Sequence, residues 1–331
     1  MMKHLIIPAM LFAVILAGCS GGGKELTIKP APEQTAAPQP IAVPVAEGKT
    51  EDVVKQMQLL ASQAQEPREL TSFMDKHWST VDAKTADSLF LALEAFDVRQ
   101  LPALNANLSK LLQQPGAADK LSELSYPFDF SKLKGDDAFK QWLLNQTAGK
   151  LALGVTFDNS FYWTIDYDAL QKAYGARLSE ELKLYLASRA AEYNKPFFQD
   201  GSLKITRAEL GNRLLEAENY LTRYPGGTRK TEMKALYTDY MEEYIRGYRY
   251  EAIDEKTMKL LPAVKQSYEQ LVKEHPDTKT AAIVKAYLEE INRNKDVIYQ
   301  PGKQGMSIIG GPLPNISGFW DGLAKRIDQA F

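Results

Sequence analysis

The sequence predicts a mainly α-helical protein, either a helical-repeat array or an irregular helical bundle, with at most a short β-hairpin near residues 155–165. Three observations predict it. Apolar residues recur at three- and four-residue spacing through most of the chain from residue 50, the period of a helix that buries one face. Two segments of the C-terminal half align at an offset of 51 residues, as a repeated supersecondary unit does. Strand-like patterning is confined to one central stretch.

The elements follow in chain order. Residues 50–118 form a helical section of three helices. Val53, Val54, Met57, Leu60, Ala61 and Ala64 share one helix face. Ser79 to Asp82 supply N-cap candidates ahead of Ala86, Leu89, Leu93 and Phe96, and the apolar pattern continues through Leu101, Leu104, Leu108 and Leu111 until Pro115–Gly116 stops it. The body, residues 119–298, starts less regularly. Val155–Phe157 and Phe161–Ile165, separated by Asp158-Asn159-Ser160, read as a short hairpin that must pack on helices to be stable. Helical periods resume after Asp166. Thr206 and Glu209 match a capping box that opens a helix through Leu210, Leu214, Ala217, Leu221 and Tyr224.

The two aligned segments are YLTRYPGGTRKTEMKALYTDY from Tyr220 and LVKEHPDTKTAAIVKAYLEEI from Leu271. Pro225 falls on Pro276, Lys234 on Lys285 and Ala235 on Ala286, so each copy reads as helix, Pro-centred turn, helix. Their turns resemble those of tetratricopeptide-like repeats in bacterial extracytoplasmic lipoproteins, over residues 209–294. The resemblance implies a stack of helical hairpins that binds a protein or peptide partner. The 51-residue spacing exceeds the usual repeat of about 34, so the stretch RGYRYEAIDEKTMKLLP must be accommodated between the copies.

The first eighteen residues carry Lys3, an apolar run from Leu5 to Leu16, and the small pair Ala17–Gly18. That is the tripartite pattern of an export signal, and the run is too short for a membrane span of about 20 residues. With Cys19 the stretch LAGC resembles the lipobox of bacterial lipoproteins at all four positions. The resemblance implies that residues 1–18 are removed as a signal peptide and that Cys19 is acylated. It implies an extracytoplasmic protein anchored to a membrane by its N-terminal lipid, on the outer face of the cell membrane or on an outer membrane where two membranes exist. Two or more acyl chains make such an anchor stable. Residues 19–49, rich in Gly, Pro and Ala, read as a flexible tether.

Composition narrows the chemistry. Forty Lys and Arg balance 42 Asp and Glu, interspersed throughout, which argues against a nucleic-acid partner. Cys19 is the only cysteine, so its acylation leaves no thiol for disulfides, zinc or nucleophilic catalysis. No His-Glu-x-x-His, Gly-x-Ser-x-Gly or P-loop motif occurs, and the expectation is a non-enzyme with no cofactor, no metal and no catalytic residue. Of the histidines beyond the signal, His275 falls on Tyr224 in the aligned turn and reads as a packing residue, and His77 lies beside Trp78 near a helix junction. Asp158, Asp166 and Asp168 match no calcium loop, and Asp166 or Asp168 suits a helix cap. DGSLKITRAEL at Asp200 fails as an EF-hand because Pro196, Phe198 and Arg207 occupy ligand positions.

Tyr237, Tyr240, Tyr244 and Tyr248 form the most conspicuous constellation, sharing one face with Met233 and Met241. The stripe is either a helix's core face or an aromatic binding face for a peptide or glycan. The tail, residues 299–331, reads as a Gly/Pro loop and an amphipathic helix. Trp320, Leu323, Ala324, Ile327 and Phe331 lie on the face expected to dock on the body. The functional expectation is a lipid-anchored interaction module or scaffold of the bacterial cell envelope. Its alternative is a glycan- or peptidoglycan-binding lipoprotein that uses the tyrosine stripe.

Overall fold

A computed structural model describes residues 47–331 except 136–137, 157, 200, 248 and 304–307, with side chains also left aside at 47–50, 249 and 250. Helices α1 (Glu47–Gln63), α2 (Pro67–His77) and α3 (Ala83–Leu112) make the N-terminal section. Pro67 starts α2 at a position where its missing N–H costs nothing, and the Glu69 carboxylate accepts from the amides of Gln65 and Glu66. Asp82 caps α3 by accepting from the Thr85 amide at 2.8 Å. Helix α3 runs on through Pro102, where a proline costs about 3 kcal/mol, and buries Leu104 and Leu108 beyond it. Gly116, at φ 76°, then makes the left-handed turn into α4 (Ala117–Ser122).

After α5 (Ala138–Ala148) come β1 (Leu151–Val155) and β2 (Phe161–Ile165), antiparallel with Leu153 opposite Trp163. Asn105 of α3 completes the free edge of β2, accepting from the Trp163 amide at 2.6 Å and donating to its carbonyl. At Gly154 a Cβ would lie 2.5 Å from the cross-strand Tyr162 ring, so the glycine lets that ring lie across β1.

Helices α6 (Tyr167–Tyr174) and α7 (Glu180–Asn194) follow, α6 capped by Asp166, whose carboxylate accepts from the Ala169 amide. A ribbon of β3 (Phe198–Gln199) and β4 (Ser202–Leu203) leads to the first aligned hairpin, α8 (Arg207–Arg223) and α9 (Lys230–Arg246). Thr206 caps α8 as expected, but the Glu209 carboxylate does not return to the cap. It is taken by Lys195 at 2.7 Å and Arg213 at 2.9 Å. Helix α10 (Arg249–Ala252) and the ribbon β5 (Ile253–Asp254) with β6 (Lys259–Leu260) absorb the extra residues between the copies. The second hairpin is α11 (Pro262–Glu274) and α12 (Lys279–Arg293).

The tail differs from a loop and one helix. Strands β7 (Tyr299–Pro301) and β8 (Ile309–Pro312) pair, and the helix divides at Gly322 into α13 (Pro314–Asp321) and α14 (Leu323–Ala330). Ile316, Phe319, Leu323 and Ile327 are buried against the body, with the Phe331 ring on Tyr237. The fold is mainly α-helical, and among the described residues all strands form short two-stranded antiparallel ribbons, so ribbons occur beyond the one expected near residue 155. One continuous hydrophobic core reaches from Met57 in α1 to Ile327 in α14. No helix among the described residues is long and apolar enough to cross a membrane.

Candidate binding sites

The stacked hairpins decide the fate of the tyrosine stripe. Tyr237, Tyr240 and Tyr244 are at most 1% exposed, and Met233 and Met241 are fully buried beside them. Each phenol has a partner on a neighbouring element. Tyr237 shares a hydrogen bond of 3.0 Å with Thr280, Tyr240 donates to Glu192 at 2.6 Å, and Tyr244 donates to the Ser267 carbonyl at 3.0 Å. Burial raises the ionisation range of all three. These rings form the inside of the stack, which corrects the reading of them as an exposed binding face. Tyr248 lies outside the described residues, as do Cys19 and Asp200.

The other singled-out side chains serve the fold. His77 packs on Phe73 with ring centroids 4.6 Å apart, and His275 ends α11. Asp158 accepts from Thr156 and Ser160 within its turn, and Asp168 pairs with Lys172. Among the described residues no group of three His, Cys, Asp or Glu is placed to hold a metal ion.

Two concavities are formed by described residues, neither read from the sequence. The larger is an open groove of about 850 Å³ formed by the chain between α4 and α5. Lys120, Lys132, Lys134, Glu123 and Asp129 bring both signs of charge to it, with ion pairs Lys132–Asp129 at 3.4 Å and Lys134–Glu123 at 3.7 Å. Tyr126, half exposed at 50%, stands in its wall. Tyr126 meets Phe128 edge-on at 5.7 Å, and the aromatic contacts continue through Phe130, Trp163 and Trp142 into the core. An exposed ring is thereby mounted on a rigid base.

The smaller concavity, about 270 Å³, lies where the β3–β4 ribbon and α8, α9, α10 and α11 meet. Leu203, Ile205 and Val264 supply apolar walls, and Arg207, Glu243 and Glu251 supply charge. Arg207 is locked in place: its guanidinium lies 4.6 Å from the Tyr244 ring and 4.9 Å from the Tyr268 ring. Its Nε donates to Ser267 at 2.9 Å and one terminal nitrogen donates to the Tyr244 carbonyl. Burial pushes the Glu243 carboxyl up to about 7, Arg207 opposing the shift and Glu251 adding to it. Arg207 and Glu243 stand 36 residues apart in the sequence, and no local pattern announces their meeting. The density of aromatics in SYPFDF was the only signal of the larger groove. The chain matches no protein-family model, no curated protein and no solved structure.

Proposed function

We propose that this protein is a lipid-anchored, extracytoplasmic interaction module of a bacterial cell envelope, engaging a protein or peptide partner. The groove beside Tyr126 carries the reading. It combines an open concavity, a half-exposed aromatic on a rigid base and a rim of both charges, the composition of a surface that binds a partner around one anchor residue. LAGC supports the anchor, and the turns that resemble tetratricopeptide-like repeats support a partner-binding role. The glycan alternative moves from the buried stripe to the same exposed ring of Tyr126, which a sugar face would also cover.

A photo-crosslinking residue at position 126 in intact cells tests the groove, with Leu59, an exposed apolar residue on α1, as the control position. A discrete protein adduct at 126 and none at 59 is the expected result. A wall-glycan adduct selects the alternative, and equal labelling at both positions removes the groove. Cys19→Ser tests the anchor separately: the precursor should accumulate uncut and lose lipid labelling, and undiminished labelling would refute lipidation at this residue.

A further inference from the structure

The smaller concavity has a composition that the fold itself does not use. Among the described residues the Glu243 carboxylate makes no hydrogen bond or ion pair, although burial raises its ionisation range. A half-buried carboxylate without a hydrogen-bond partner carries a desolvation cost, and strongly perturbed groups in a concavity cluster at functional sites. Arg207 spends Nε and Nη2 on Ser267 and Tyr244 and also interacts with the Tyr268 phenol, and no hydrogen bond from its Nη1 is formed among the described residues. The cavity thus presents a fixed cationic edge, two carboxylates and apolar walls.

We propose that this cavity binds a free amino acid with an apolar side chain. The ligand's ammonium group faces Glu243 and Glu251, its carboxylate takes the unused edge of Arg207, and its side chain packs on Leu203, Ile205 and Val264. Each polar group left open by the protein meets a ligand group of opposite charge, and charge-assisted hydrogen bonds of this type are the strong ones. Size agrees, because a volume of about 270 Å³ is below the usual range for drug-sized ligands. The inference is independent of the lipid anchor and of the groove beside Tyr126.

The neighbours of Glu243 define how binding depends on pH. Arg207 faces it from α8 and Glu251 from α10, while Tyr268 of α11 adds a buried phenol. Lys265 of α11 is committed to Asp296. On α9, Arg246 donates to the Trp320 carbonyl, and Asp239 couples to Glu192 and Glu242. Below its raised range Glu243 is neutral and offers an ammonium group no charge. Affinity therefore rises with pH through about 7, and a ligand bound near that pH expels a proton.

Isothermal titration of the purified full chain with L-leucine tests the site, with isoamylamine and 4-methylpentanoate as probes that each lack one charge. Leucine should bind, and both half-charged probes should bind at least about tenfold more weakly. Glu243→Gln should weaken leucine about ten- to hundredfold at pH 8 and abolish the proton release seen near pH 7 in buffers of different ionisation enthalpy. The thermal midpoint of Glu243→Gln should hold or rise, because the variant removes a desolvated charge and leaves the Arg207 contacts in place. No leucine binding, equal binding of either half-charged probe, or proton release that survives Glu243→Gln would overturn the proposal.

Discussion

Asp97 on α3 is fully buried, and neither of its carboxylate oxygens has a hydrogen-bond partner among the described residues. Burial, reinforced by Glu94, raises its ionisation range well above that of an ordinary carboxylate. A carboxyl whose folded value lies above its unfolded value stabilises the fold fully below the unfolded value, and loses that contribution as pH rises toward the folded one. Asp97→Asn removes the titration while keeping the shape. Its thermal midpoint should match the parent near pH 4 and exceed it increasingly toward neutral pH. The gap widens by up to about 1.4 kcal/mol per pH unit between the two values. Parallel pH curves for the two proteins would show that Asp97 ionises freely in the fold.

At the scale of elements, a carboxylate from the preceding layer holds the turn that opens the second helix of each hairpin. Glu218 of α8 accepts from the Lys279 amide at 2.7 Å and the Thr280 amide at 2.8 Å, at the start of α12. Glu181 of α7 instead ties down the turn ahead of α9, accepting from the Thr228 amide, the Thr228 hydroxyl and the Tyr220 phenol. Gly227 is required there, since a Cβ would lie 2.8 Å from the Tyr220 hydroxyl and 3.0 Å from the Glu181 carboxylate. A negative charge at these starts also complements the helix dipole. Glu218→Ala should cost about 1–2 kcal/mol and speed hydrogen exchange at the amides of residues 279–281. Unchanged protection would assign the hold on α12 to its apolar face alone.

Across the whole molecule, Glu94 ties the N-terminal section to the hairpins. Its Oε1 accepts from Tyr167 at 2.9 Å and Tyr185 at 2.5 Å, and its Oε2 pairs with Arg229 at the start of α9. Arg189 lies 4.6 Å over the Tyr167 ring and completes the buried cluster. Glu94→Gln leaves the part-buried Arg229 with only the more exposed Glu232 carboxylate at 3.3 Å, a loss on the order of 1–3 kcal/mol. Because the cluster joins α3, α6, α7 and α9, urea unfolding of this variant should shift to lower concentration in one step. Probes near Trp163 and near Trp320 should report the same midpoint. Separate midpoints would show that the N-terminal section and the hairpins unfold independently.

What was legible in the sequence is what local geometry carries. Asp82, Asp166 and Thr206 cap their helices because a cap needs only a side chain and an amide three residues on. The paired Pro turns mark the α8–α9 and α11–α12 hairpins for the same reason. Where a local rule failed, a distant partner had won, as when Lys195 and Arg213 drew Glu209 from its capping box. By itself the sequence determined the helical class, the helix starts at Asp82, Asp166 and Thr206, and the hairpin turns. It also determined that Tyr237, Tyr240 and Tyr244 share a face. Periodicity defines such a face but not what covers it, so only the tertiary structure turned those rings inward, onto Thr280, Glu192 and Ser267. The same packing decided which buried polar atoms have no hydrogen-bond partner among the described residues, both carboxylate oxygens of Asp97 among them. Satisfying a buried charge depends on helices that the chain brings together from far apart.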